Sequence, residues 1–121
     1  MLDKCRAVLA GTNGEYNYAC LLDQLLVKFT GIDADALKEQ VAAGRNDAEL
    51  LEWVNANAAH KPDMIRILAW SAYVEAFVPG DTDMRGFFQE LQGRIAPHRK
   101  DIQTLFDLLD LDDYVSFGGK A

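Results

Sequence analysis

Strand patterning is absent. Nowhere do apolar and polar residues alternate with a period of two over the length of a strand, which excludes a half-buried antiparallel sheet. Cysteine is scarce, with only Cys5 and Cys20, too few for the disulfide framework of a small secreted domain. The three prolines, Pro62, Pro79 and Pro97, fall at the boundaries of apolar segments and interrupt none of them. Positive charge is also short: 12 Lys and Arg face 19 Asp and Glu, for a net charge of −7. Counterion release on nucleic acid and attraction to anionic lipid both need clustered basic residues, and here those residues are scattered. No apolar run approaches a membrane span. Asp3, Lys4 and Arg6 open the chain with no apolar run behind them, so no signal peptide is expected. Together these absences predict a cytoplasmic protein with free, buried thiols and neither a nucleic-acid nor a membrane partner.

What is present is helical periodicity in a chain that is 50% hydrophobic, enough to rule out disorder and to build a core. Leu2, Cys5, Val8 and Leu9 share a face that Gly11 ends. Leu22, Leu25, Leu26 and Phe29 form a second stripe that Gly31 closes. Asp33 reads as the N-cap of a third helix carrying Leu37 and Val41, with Gly44 as its stop. Asn46 and Glu49 form a capping box ahead of Leu50, Leu51 and Val54. From Pro62 to Phe77 the chain is apolar on two faces. One face is Ile65, Leu68, Ala69, Ala72, Tyr73 and Ala76, and the other Ile67, Trp70, Val74 and Phe77. A helix apolar almost all round is expected to be central and buried. Asp81 or Thr82 caps a sixth helix, and Asp101 is the expected N-cap of a seventh carrying Ile102, Leu105, Phe106 and Leu109. Tyr114 to Gly119 reads as a short extended cover. The fold class predicted is all-α: one compact domain over 1–121, about seven short helices around a buried helix at 62–77.

Several constellations suggest chemistry and fail on spacing. Counting from Asp110, the acidic cluster Asp107, Asp110, Asp112 and Asp113 places Tyr114 and Val115 where a calcium loop needs an oxygen ligand and a glycine. Cys5, Cys20, His60 and His98 lack the paired short spacings of a zinc site. Gly11-Thr12-Asn13-Gly14 follows a helix and lacks a phosphate-loop lysine, so a helix–helix turn explains it. Cys20 with His98 and Asp101 can be drawn as a nucleophilic triad, but no pattern requires the three to meet. No metal and no cofactor are expected. The remaining excess of functional groups lies in Glu15, Tyr16, Tyr18, Cys20 and Asp23, with a second polar knot at His98, Arg99, Lys100 and Asp101.

The runs Gly14-Glu15-Tyr16-Asn17-Tyr18-Ala19-Cys20, Phe29-Thr30-Gly31-Ile32-Asp33 and Asp101-Ile102-Gln103-Thr104, with the ending Phe106 to Ala121, resemble the bacterial family called domain of unknown function 5069. The resemblance spans nearly the whole chain. Leu21 stands where that family usually has proline, Leu105 where it usually has tryptophan, and the family tends to carry a further segment ahead of Leu2. The resemblance implies a cytoplasmic bacterial protein and assigns no catalytic residue.

The functional expectation is a small, non-catalytic helical module that binds a protein or small-molecule partner. Its surface would contain the 11–23 turn, with Glu15, Tyr16, Tyr18, Cys20 and Asp23, and the knot at Arg99 and Asp101. The alternative is a small enzyme with a site around Cys20, Tyr16, Tyr18, Asp23 and the knot from Arg99 to Asp101. Self-association, as a homo-oligomer, is a further way to cover an apolar patch such as Tyr114 and Phe117.

Overall fold

The computed structural model describes residues 1–120. Among them are seven α-helices and no strand, so the chain is all-α: α1 Leu2–Ala10, α2 Leu21–Thr30, α3 Ala34–Ala42, α4 Asp47–Asn57, α5 Met64–Glu75, α6 Thr82–Ile95 and α7 Leu105–Ser116. They fall into two compact units, Met1–Asp63 and Met64–Ala121.

In the first unit α1 packs on α3, and α3 on α4. The core comprises Cys5, Ile32, Leu37, Val41, Leu50 and Ala58, with Tyr18, Val27 and Trp53 among the side chains closed over it. The caps follow the sequence signals. Asp33 accepts from the Ala36 N–H at 2.7 Å, and Asn46 and Glu49 complete a reciprocal box. Gly31 ends α2 with φ 69°, and a Cβ there would come within 2.9 Å of the Ala59 Cβ. Two constraints, left-handed backbone and close approach, thus demand glycine at one position. Beside it the His60 N–H donates to the Thr30 carbonyl at 2.9 Å, tying the end of the α4 segment to the end of α2.

In the second unit α6 packs on α7 around Phe88, Leu91, Leu105, Leu108 and Leu111. Three expectations are corrected here. The first is the buried central helix. In α5 only Val74 is buried, while Ile65 is 79% and Leu68 63% exposed. Of its two apolar faces, one turns Trp70, Val74 and Phe77 inward but leaves Ile67 exposed, and the stripe through Ile65, Leu68, Ala69, Ala72, Tyr73 and Ala76 is exposed throughout. Apolar residues all round a helix state what could be buried, but burial also needs a neighbour on each side.

The second correction concerns Asp101, which does not cap α7. Thr104 does, accepting from the Asp107 N–H at 3.1 Å, while Asp107 Oδ2 accepts from the N–H groups of Thr104 at 2.9 Å and Gln103 at 3.1 Å. A Thr-x-x-Asp box with two returned hydrogen bonds satisfies more orphan amides than a lone aspartate three residues earlier. Asp101 is instead gripped by its neighbour Arg99, at 2.8 and 2.6 Å. Third, the expected extended cover is helical to Ser116, and the chain then folds back so that the Gly119 N–H donates to the Tyr114 carbonyl at 2.8 Å.

Candidate functional site

The connection from α1 to α2 is held from within. Gly11 takes the left-handed conformation (φ 69°) that ends α1, and the Thr12 N–H reaches back to the Ala7 carbonyl at 2.9 Å. Asn13 then closes a small ring. Its carbonyl accepts from the Tyr16 N–H at 2.9 Å, and its Nδ2 donates to the Tyr16 carbonyl at 2.7 Å. Gly14 is left-handed (φ 52°), and so is Ala19 (φ 58°), the one non-glycine with positive φ among the described residues. An L-residue held there costs about 1–2 kcal/mol, so the surroundings must impose this conformation. Three contacts near it do so. The Gln24 amide donates to the Ala19 carbonyl at 3.2 Å, the Tyr18 hydroxyl donates to the Ala34 carbonyl at 2.7 Å, and the Cys20 N–H donates to Asp23 Oδ2 at 3.3 Å.

Cys20 caps α2, and around it lies a cluster that the sequence only half announces. Lys4, on α1, donates from Nζ to Cys20 Sγ at 3.0 Å and forms an ion pair with Asp23 Oδ2 at 2.9 Å. The pair is shielded, with side-chain exposures of 19% for Lys4 and 6% for Asp23. Burial acts to lower the pKa of the Lys4 ammonium, but the hydrogen bonds to Cys20 and Asp23 and their charges outweigh it, so the net shift is upward. Next to this cluster, burial pushes up the thiol of the wholly enclosed Cys5. Burial, helped by the negative charge potential of Cys5 and Asp23, likewise raises the Tyr18 phenol.

The candidates therefore divide. Tyr18, Cys20 and Asp23 come together in an anchored polar cluster whose fourth member, Lys4, sequence reasoning passed over. A lysine one turn into a short helix carries no local signal that its ammonium will be half-enclosed. Glu15 and Tyr16 stay outside on the exposed lip, with Tyr16 51% exposed, and Leu21 beside them is 57% exposed. Arg99 and Asp101 lie in the second unit and hold each other, and the guanidinium keeps the Asp101 carboxyl down at about 2. They border a groove of about 300 Å3 with Asp107, Asp110, Leu111 and Tyr114.

The triad drawn from Cys20, His98 and Asp101 gains nothing from this geometry. The Cys20 sulfur is hydrogen-bonded by Lys4, and Asp101 is occupied by Arg99. Among the described residues no group of three or more His, Cys, Asp and Glu is arranged to hold a metal ion, and no helix is long and apolar enough to cross a membrane.

Compared with known proteins, residues 1–115 match the model of one family, described as Domain of unknown function (DUF5069). No curated protein matches the chain.

Proposed function

We propose a role for a chain that belongs to this family of unknown function: a non-catalytic binding module whose 11–23 connection presents a rigid lip to a protein or small-molecule partner. One observation carries the reading. The connection is hydrogen-bonded at both ends and through Tyr18 in its middle, yet Tyr16 is left 51% exposed at its outer edge. A ring on a preorganised loop gives contact area while little conformational freedom remains to be lost on binding. Tyr18 belongs to the support of this lip and Tyr16 to its face. Cytoplasmic placement fits the free thiols, and the acidic balance disfavours nucleic acid and anionic bilayers as partners.

The test is a thermal-shift screen of metabolites, repeated with Tyr16→Ala and Tyr18→Phe. A ligand whose stabilisation vanishes in Tyr16→Ala, while the unliganded melting temperature is unchanged, supports the lip. If every ligand stabilises wild type and Tyr16→Ala equally, the lip is not the binding surface.

A second reading, a small enzyme acting through Cys20, has one observation in its favour: a lysine donates to that thiol, and the carboxylate paired with the lysine accepts from the Cys20 N–H. It predicts that iodoacetamide alkylates Cys20 much faster than a model thiol, and that Lys4→Met removes the advantage.

A further inference from the structure

The Lys4–Cys20–Asp23 cluster has more chemistry available than support of a loop requires. Cys5 and Cys20 are the chain's only thiols, and Cys5 is completely enclosed, so only the partly exposed Cys20 is open to small oxidants. Its sulfur lies 3.0 Å from an amine nitrogen sixteen residues away in sequence, and that nitrogen is 2.9 Å from a carboxylate oxygen. Reacting atoms held about 3–3.5 Å apart are in near-attack range, where effective molarities far exceed any free nucleophile in solution.

We propose that Cys20 and Lys4 form a reversible sulfur–nitrogen cross-link on exposure to hydrogen peroxide. The inference stands on this cluster alone and is independent of the binding reading.

Two steps balance. In the first, Cys20 Sγ attacks peroxide: the O–O bond breaks, an S–O bond forms, and one water leaves. Sulfur is oxidised by two electrons and peroxide is reduced by two, giving a sulfenic acid, which is known to condense with nitrogen nucleophiles. In the second, the Lys4 ammonium gives a proton to Asp23 Oδ2 and its free amine attacks Sγ. The S–N bond forms, the S–O bond breaks, and the hydroxyl leaves as water with the second nitrogen proton. The proton lent to Asp23 is released to solvent. The sum is thiol, ammonium and one peroxide giving the S–N bridge, two waters and one proton.

Asp23 is thus a positioning residue and proton acceptor, already bonded to the nitrogen it must deprotonate. The amine also intercepts the sulfenic acid before a second peroxide can carry it to the irreversible sulfinic acid. Two thiols, or one dithiol, reduce the bridge. The first breaks the S–N bond and frees the Lys4 amine, the second releases Cys20 from the mixed disulfide, and the reductant leaves as a disulfide. The site would thus record an oxidative episode reversibly.

The experiment is peroxide titration of the reduced full-length chain, followed by intact mass and tryptic mapping without reductant. The expected product is lighter by two hydrogens, resists trypsin after Lys4, links the peptides bearing Lys4 and Cys20, and reverts with dithiothreitol. Cys5→Ser should retain the product. Lys4→Arg keeps a cation beside Asp23 but no amine nucleophile, and should yield sulfinic acid at Cys20 instead. A Cys5–Cys20 disulfide also loses two hydrogens, but it leaves Lys4 cleavable and disappears in Cys5→Ser; finding it would overturn the proposal. So would wild-type Cys20 carrying two oxygens beside an unmodified Lys4. Should Cys5→Ser fail to fold, cleavage after Lys4 in the oxidised wild type decides alone.

Discussion

Ala19 sits where glycine would be at ease, with φ 58° in the turn that delivers Cys20 to the start of α2. Ala19→Gly removes the Cβ penalty of a left-handed residue but frees the unfolded chain, and the two effects oppose each other. The steric relief of about 1–2 kcal/mol exceeds the entropic cost of about 0.4–1 kcal/mol. Urea unfolding should therefore find Ala19→Gly more stable than wild type, by roughly 0.5–1 kcal/mol. A loss of stability would mean that the turn is not strained. Tyr18 supplies the contrast, because its hydroxyl donates to the Ala34 carbonyl. Tyr18→Phe should cost about 0.5–1.5 kcal/mol, read from urea midpoints. At this scale the sequence could single out two tyrosines, one residue apart across Asn17, but not tell them apart. Which ring faces in depends on the left-handed backbone at Gly14 and Ala19, and nothing local marks an alanine for that conformation.

Helix ends were the most legible elements, because capping is written in neighbouring residues. Asp33, the Asn46–Glu49 box and the glycine stops at Gly11 and Gly31 all stand where the sequence puts them, and of the two caps open for α6 the structure uses Asp81. The failure at α7 is instructive, since Asp101 and Thr104 both satisfy the cap rule and only the Asp107 carboxylate returning to two amides decides between them. Those amide hydrogen bonds, chiefly from Thr104, hold the Asp107 carboxyl below its ordinary range. The sign follows: a carboxylate with a depressed folded pKa contributes stability above its unfolded value near 3.9, lost as pH falls through the folded value. Asp107→Asn should therefore lower stability at pH 7 and flatten its decline below pH 4, as read from urea midpoints across pH. Thr104→Ala should cost about 1 kcal/mol by the same measurement. A slope below pH 4 unchanged in Asp107→Asn would remove the carboxylate from the cap. The faces of α5 were legible too, both of them apolar, but not which would be covered. Leu108, with no exposed area, should lose about 2–5 kcal/mol as Leu108→Ala. Leu68→Ala, on the exposed stripe, should change stability by no more than about 0.5 kcal/mol.

For the whole molecule the class was readable, since periodicity is averaged over many residues and the all-α reading needs no single contact to be right. The candidate site was less so, because Lys4 reaches Cys20 and Asp23 only through the packing of α1 beside the α2 cap, and no spacing rule encodes a meeting across sixteen positions. Charge is the property that sums over the chain most simply, and it yields a prediction independent of how the helices pack. The net charge is −7, and several of the few cations are already engaged: Lys4 with Asp23, Arg6 with both Asp3 and Asp47, Arg99 with Asp101. A cation held by a carboxylate releases no counterion when it nears a phosphate unless that pair is broken first, so these side chains add little to the term that drives non-specific binding. Proteins that use this term bind duplex DNA with dissociation constants of about 10⁻⁴–10⁻⁶ M at physiological salt. This chain should leave a short fluorescent duplex unshifted throughout that range, in fluorescence anisotropy at physiological salt. Lowering the salt tenfold should not bring binding in, because the long-range field of the protein repels the duplex and weaker screening extends that repulsion. Anisotropy that rises with protein and falls steeply with added salt would reveal a basic surface that the composition conceals, and would return nucleic acid to the set of partners.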